Sequence, residues 1–255
     1  MRNYRLFLPI LFFILSIYTS TAQTDSLKVI EHLTKITKNK PYRNYKNIEA
    51  LNSVAEYIYN EFSKYTPKTH YQEYTIDGKI YKNVICNFGN PNGKTFIIGA
   101  HYDVCGEQEG ADDNASGVVA LLELARQFKN ITTEYNIELV AYTLEEPPYF
   151  KTQNMGSYIH AKSLKDNNRE VLGMISIEMI GYFKDYKKSQ DYPLGILSLF
   201  YGNKGDYITL VSKFGKGKFG RKFSKQFIAE KLIKTKKFSA PKALPGIDFS
   251  DHLNY

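Results

Sequence analysis

Cysteine is nearly missing from this sequence: Cys86 and Cys105 are the only two in 255 residues. Two thiols do not make a disulfide framework, so the fold has to be held by an apolar core. They read as separate, partly buried thiols, and Cys105 has neither a helix start nor a base beside it to make it a nucleophile. Arginine is scarce as well, and the phosphate-binding motifs of nucleic-acid modules are absent, which leaves nucleic acid out as a partner. The eleven lysines and arginines that stand against two acids, Asp206 and Glu230, between Lys204 and Lys237 accordingly read as a solvated, lysine-rich surface. A long hydrophobic run is also lacking. The apolar stretch at residues 6–17 is shorter than the ~20 residues of a spanning helix.

That stretch is flanked by Arg2 and Arg5 and followed by Ser20-Thr21-Ala22, the layout of a secretory signal peptide cut near Ala22. Residues 1–22 are therefore assigned to the signal and residues 23–255 to one exported domain, periplasmic or extracellular, with no stable membrane anchor after cleavage. No cysteine follows the cut to carry a lipid. Loss of Arg2 and Arg5 lowers the formal net charge from +8 to +6.

What the chain does have is apolar residues in quantity, 43% against 24% charged, enough for the core of one α/β domain. Leu27, Ile30, Leu33 and Ile36 within residues 25–37, and Ile48, Leu51, Val54, Ile58 and Phe62 within 47–65, recur at helical spacing, with Asp25 and Asn47 as caps. Residues 69–76 and 80–88 flank Asp77-Gly78 as a hairpin, and a turn at 90–93 leads to a third strand at 94–100. An apolar helix at 115–128, a strand at 136–143, a helix at 156–165 and a strand at 171–179 follow. Beyond Gly181 the pattern predicts a strand at 197–201, a helix at 206–214 and a basic loop at 215–220. His32 and His70 read as surface residues.

The polar residues gather at one place in this pattern. Residues 99–117, G-A-H-Y-D-V-C-G-E-Q-E-G-A-D-D-N-A-S-G, put His101 and Asp103 at the carboxyl end of the third strand and Asp112 and Asp113 in the loop before a helix. Glu145 and Glu146 follow the next strand, in a turn stiffened by Pro147, and Glu178 sits near the end of a later, otherwise apolar strand. Carboxyl ends of strands share the edge of an α/β sheet where ligands bind. A carboxylate in an apolar strand is costly unless it is paired or holds a cation. One histidine with several carboxylates suits Zn²⁺ or a related divalent ion, and a bridging carboxylate would hold two ions ~3.5–4 Å apart. Of two adjacent glutamates, one can bind metal while its neighbour takes a proton from water.

Taken together, G-A-H-Y-D, G-A-D-D-N-A-S-G, the E-E before a turn, I-E-M-I-G-Y and F-S-D-H resemble the zinc aminopeptidases of metallopeptidase family 28 across nearly the whole mature chain. The resemblance implies a three-layer α/β/α sandwich around a mixed, mostly parallel sheet of the phosphorylase/hydrolase-like, zinc exopeptidase type. It implies a secreted metallopeptidase acting on the N-termini of peptides or proteins. His101, Asp113 and Glu178 would then bind one metal, with Asp113 bridging to a second held by Glu146. Glu145 would be the general base and Asp103 the residue that orients His101. Asp251 and His252 would line the site, and Asp112 would be a loop residue. A one-zinc glutaminyl cyclase on a similar fold and a non-catalytic homologue are the alternatives.

The family pattern also carries a further histidine ligand one strand after S-D-H, and the sequence stops at Tyr255 before it. A truncated chain lacking the family's final strand and helix is therefore expected, with two zinc ions in an intact site but one, or a weak second, here. Of two glycosylation sequons, at Asn114 and Asn130, the first falls inside the site and is discounted.

Overall fold

A computed structural model describes residues 24–191, 197–213, 217–240 and 248–255. The signal assigned to residues 1–22 and the start of the basic loop expected at 215–220 lie outside these described residues.

The main sheet is made of β1 (Thr69–Ile76), β2 (Lys79–Gly89), β3 (Thr95–His101), β4 (Asn136–Tyr142) and β5 (Val171–Ser176), in the order β1-β2-β4-β3-β5. β1 with β2 and β2 with β4 are antiparallel; β4 with β3 and β3 with β5 are parallel. The hairpin between β1 and β2 closes on Asp77 and Gly78, both in left-handed backbone, as an Asp-Gly pair allows.

Alternation along the strands sorts side chains into two layers. Val84, Cys86, Ile98, Ala100, Leu139 and Ala141 face the larger core, beneath α1 (Ser26–Thr37), α2 (Ile48–Ser63) and α3 (Gly117–Phe128). Ile85, Ile97, Val140 and Tyr142 face the other way, onto Leu164 of α4 (Gly156–Asp166). The result is the α/β fold with helices on both faces of a mixed, mostly parallel sheet that the motifs imply. Cys86 is buried and Cys105 exposed, both free thiols, so no disulfide contributes.

Several local expectations are corrected. Asp25 caps α1 by accepting from the Leu27 N–H at 2.9 Å, but Asn47 makes no side-chain cap and donates instead to the Tyr42 carbonyl at 2.8 Å. His32 is buried rather than superficial, its Nδ1 2.7 Å from the Tyr57 hydroxyl. β5 ends at Ser176, so Glu178 lies just beyond the strand rather than within it.

The segment after Gly181 departs most. Residues expected as a strand form the short helix α5 (Leu197–Tyr201), and those expected as a helix form β6 (Ile208–Lys213), which pairs in parallel with β7 (Thr235–Ala240). Ile208, Thr209 and Val211 are β-branched, a preference that outweighed the helical spacing read there. The basic loop gives way at Lys218 to α6 (Lys218–Ala229), where Phe219, Phe223 and Phe227 follow one another at four-residue spacing. Phe219 packs against Phe96 of β3, with ring centroids 5.4 Å apart, which places α6 on the sheet face that also carries α3.

One buried cation shapes the loop that leaves β3. Arg43 is 2% exposed; its Nε donates to the Tyr102 carbonyl at 2.6 Å and its Nη2 to that of Gly110 at 2.8 Å, clamping both ends of residues 102–110. Burial lowers its pKa to about 10, against the pull of Asp103 and Asp113. Replacing Arg43 by Ala leaves these buried carbonyls without donors. The expected destabilisation is roughly 3 kcal/mol, read as a shift of the urea midpoint; a shift within error of zero would contradict this clamp.

Candidate metal centre

Parallel pairing of β3 with β4 and with β5 brings the carboxyl ends of three neighbouring strands to one edge. His101 is the last residue of β3 and 1% exposed. Two residues earlier, Gly99 leaves no room for a side chain: a Cβ there would stand 2.2 Å from the Tyr142 ring of β4. Glu145 and Glu146 follow β4, and Glu178 follows β5.

Asp113 enters from the irregular turn Ala111–Ser116 that precedes α3. This turn is sewn to the segment after β5. Asn114, fully buried, donates from Nδ2 to the Ile177 carbonyl at 2.8 Å, while its Oδ1 accepts from the N–H groups of Gly117 at 3.2 Å and Met179 at 3.3 Å. Asp112 accepts from the Gly181 N–H at 2.8 Å, so this loop residue is a strut and not a ligand. Together these bonds hold Asp113 against Glu178. They also explain why the sequon at Asn114 is out of reach of glycosylation, whereas Asn130 is exposed.

The four chain segments converge on one imidazole. His101 Nε2 lies 3.1 Å from Asp113 Oδ1, 3.4 Å from Glu178 Oε1 and 3.8 Å from Glu145 Oε2, and Nδ1 lies 3.4 Å from Asp103 Oδ1. Asp103 does more than face the ring. Its two carboxylate oxygens accept the backbone N–H groups of Glu145 and Glu146, each at 3.1 Å, and so tie the glutamate pair to the end of β3. Leu144 just before the pair (φ 59) and Met179 just after Glu178 (φ 47) both take left-handed backbone, a strain of about 1–3 kcal/mol each that collects at functional sites.

The charges do not balance. Burial favours a neutral His101 ring, yet the carboxylates of Asp103, Asp113 and Glu178 outweigh it and raise its pKa well above the ordinary value. Glu145 is pushed up to about 9 by burial and, against the attraction of His101, by Asp251, Asp103 and Glu178. Glu146 rises to about 7 through burial and the nearby Asp113, Asp103 and Glu178. Asp251, fully buried without a well-formed hydrogen bond to either oxygen, rises to about 7 through burial, with only His101 and Ser157 opposing it.

An edge where acids must hold protons to coexist is an edge short of a cation. The donors fit a divalent metal. Among the described residues, His101, Asp113 and Glu178 form one group whose ligand atoms lie within 4.8 Å of one another, and His101, Glu145 and Glu146 form a second. The buried His101 Nδ1, without a hydrogen bond of ordinary geometry, faces Asp103 as a ring would whose other nitrogen binds metal.

His101, Asp103, Asp113, Glu145, Glu146 and Glu178 therefore meet at this edge, and two placements differ from what the motifs imply. Glu146 groups with His101 and Glu145 rather than with Asp113. His252 belongs to neither converging group, whereas Asp251 beside it is fully buried within the charge field of the site. Ser250 was not foreseen: its hydroxyl donates to Glu178 Oε2 at 2.8 Å and lies 2.7 Å from that of Ser176. Arg43 and Asn114 were missed as well. Arg43 is the only arginine between Arg5 and Arg126, which was the one signal in the sequence that could have marked it.

Comparison with known proteins agrees with this geometry. Residues 83–231 match the profile of peptidase family M28. The YfbL protein of Escherichia coli (strain K12) is 39% identical over 236 residues, which are 89% of this chain and 71% of that one. Among solved structures, the LapA aminopeptidase of Legionella pneumophila superposes with a TM-score of 0.65 at 16% identity, covering 90% of this chain but 57% of LapA. A Bacteroides thetaiotaomicron glutaminyl cyclase bound to N-acetylhistamine gives 0.60 at 16% identity, covering 91% of this chain and 80% of the cyclase.

The raised acids make the metal-free chain sensitive to pH in one direction. A carboxyl whose folded pKa lies above its unfolded one contributes stability that is complete below the ordinary carboxylate range and is lost as pH rises, here through about 7 for Glu146 and about 9 for Glu145. Chelated protein should therefore lose melting temperature between about pH 5 and about pH 9, and Glu145→Gln should lose less. Superimposable melting profiles for the two proteins across that range would contradict the assignment.

Proposed function

The chain belongs to peptidase family M28, and from that premise we propose that it is an exported zinc aminopeptidase that hydrolyses the N-terminal peptide bond of peptides or proteins. The observation that carries this reading is the convergence of Asp113, Glu178 and Glu145 on His101 Nε2 at the carboxyl edge of β3. His101, Asp113 and Glu178 would hold one metal ion, and Glu146, which groups with His101 and Glu145, would be a ligand of a second. Zinc in such a set supplies Lewis acidity, polarising a peptide carbonyl and making water more acidic.

The chain's own groups do the rest. Glu145, 3.8 Å from His101 Nε2, is the group placed to accept a proton from water and return it to the leaving amine, once a cation at this edge offsets the burial and neighbouring acids that hold it protonated. Asp103 orients the His101 ring and, through two backbone N–H groups, keeps the base and its neighbouring ligand in register. Ser250 holds one oxygen of Glu178 and leaves Oε1 toward His101. Export is supported by the signal-peptide layout of residues 1–22. Among the described residues no helix is long and apolar enough to cross a membrane.

A second reading, acyl transfer of the glutaminyl cyclase kind, draws on one observation: His101, Asp113 and Glu178 make one complete ligand set, while Glu146 does not converge with Asp113. The test is Glu145→Gln, with zinc affinity measured by competition against a chromophoric chelator. On aminoacyl p-nitroanilides the rate should fall by about 10²–10⁴-fold while zinc remains bound. Hydrolysis at near wild-type rate contradicts the assignment of Glu145. Cyclisation of N-terminal glutamine without p-nitroanilide hydrolysis by the wild type would instead select the cyclase reading.

A further inference from the structure

One face of α6 takes no part in packing. Phe219, Phe223 and Phe227 recur every four residues on the side of the helix turned to the protein, where Phe219 meets Phe96 of β3 and Ser224 is buried. Lys218, Arg221, Lys222 and Lys225 fall at i, i+3, i+4 and i+7, a single face on the other side, and all four are exposed. Among the described residues none of the four joins an ion pair; the pair in this region is Lys234 with Asp206, at 2.8 Å.

This face works against the helix that bears it. Lys218 and Lys225 each stand three and four residues from Arg221 and Lys222, so like charges repel along the whole face. The first turn, where the helix dipole favours acids, has none, and Gly217 before it supplies no side-chain cap. From Lys218 to Lys237, eight lysines and arginines stand against Glu230 alone. An anionic surface laid against the face offsets this repulsion.

Charge is half of the patch. Ile228, three residues after Lys225 and seven after Arg221, continues the basic face and is 41% exposed, and Leu232 beyond it is 89% exposed. Ile233 is exposed as well, so three aliphatic side chains are bared where α6 ends, in the turn closed by the Lys231 N–H on the Ile228 carbonyl at 3.3 Å. Water solvates the lysines but leaves the aliphatic tip unfavourably hydrated. A nucleic acid would meet the cations and offer nothing to Leu232. Headgroup phosphates above an acyl layer meet both, which is how basic, partly apolar helices lie on membranes.

We propose that the basic face of α6 and the aliphatic tip after it dock this protein on an anionic lipid bilayer, with Lys218, Arg221, Lys222 and Lys225 against the headgroup phosphates and Leu232 among the acyl chains. The contact is peripheral and salt-sensitive, is separate from the metal centre, and does not require the peptidase reading.

The test is co-sedimentation of the chain, freed of the signal assigned to residues 1–22, with vesicles of phosphatidylglycerol and phosphatidylethanolamine or of phosphatidylcholine alone. Partitioning should be at least about tenfold stronger on the anionic vesicles and fall as NaCl rises from about 50 to about 500 mM. Arg221→Glu combined with Lys222→Glu should weaken it at least about tenfold; this double change turns the repelling pairs into attracting ones and puts acids near the helix start, so the fold is not put at risk. Leu232→Ser, at a side chain the fold leaves in water, should weaken it at least about threefold. Neither protein should differ from wild type in zinc affinity or in hydrolysis of aminoacyl p-nitroanilides. The proposal is overturned if the two vesicle types bind alike, if either variant partitions as the wild type does, if inorganic phosphate at the lipid phosphate concentration abolishes binding, or if duplex DNA is bound more tightly than the vesicles. Vesicle binding by a chain that hydrolyses no peptide would leave the docking face and end the peptidase reading; hydrolysis without vesicle binding would do the reverse.

Discussion

Carboxylates gathered around one buried imidazole repel one another, and much of the structure near that edge serves to keep them there. Asp103, Asp113, Glu145 and Glu178 all lie within 3.8 Å of the His101 ring nitrogens. Nothing local to any of these acids would hold such an arrangement. Each is delivered by a separate segment whose backbone is bonded to its neighbours: the glutamate pair through the two oxygens of Asp103, Asp113 through the bonds of Asn114 and Asp112 to residues 177–181, and Glu178 through Ser250. The left-handed backbone at Leu144 and Met179 is strain accepted at the two places where a strand must turn to present its acid. A divalent cation held by these residues would offset the repulsion and lower the pKa of Glu145 and Glu146, which would link metal binding to pH.

His101, Glu145, Glu146 and Glu178 were legible because each ends or follows a strand whose apolar run is clear, residues 95–101, 136–142 and 171–176, and Asp113 because it stands in the loop before an apolar helix. The hairpin at Asp77-Gly78, the two amphipathic helices and α3 were legible for the same reason, since periodicity and turn chemistry agree there. The part after Gly181 was not. β6 is identified by pairing with β7, which lies more than twenty residues later in the chain, and a parallel pair leaves no hairpin signal between its strands. α6 hides its Phe219, Phe223 and Phe227 stripe among lysines and a glycine, so charge masked the period.

The polar residues that were missed share a cause. Arg43, Asn114 and Ser250 act on backbone carbonyls, backbone N–H groups or a carboxylate brought from elsewhere in the chain. Such partners are set by topology, and no spacing rule connects positions 43 and 110 or 178 and 250. His32 shows the same limit in reverse: it lies one turn from Ile36 on the buried side of α1, where it meets the Tyr57 hydroxyl of α2, a partner that the sequence pattern does not reveal.

β4 shows how one strand can serve two chemistries. Its middle residues, Leu139, Val140 and Ala141, are fully buried and belong to the two cores, one on each face. Near its start Asn136 and Glu138 are polar, buried and bonded to each other and to Asn87; its last residue, Tyr142, pairs with His101 and leads into the glutamate pair. α4 spans the same distance on the outer face. His160 in the helix lies 3.3 Å from Glu138 Oε2 and is hydrogen-bonded through Nδ1 to the Tyr255 hydroxyl, which in turn lies 2.7 Å from that of Tyr142. Asn254 adds a bond to Ser157 at 2.9 Å. The turn Asp251–Asn254, which carries the buried Asp251 and follows Ser250, is thus seated on α4 as well as on β3 and β5. The position of Glu178 depends on that seat. The polar groups of α4 thus join three parts of the fold: His160 faces Glu138 of β4, Ser163 accepts from Gln72 of β1, and Ser157 accepts from Asn254 of the turn beside Ser250.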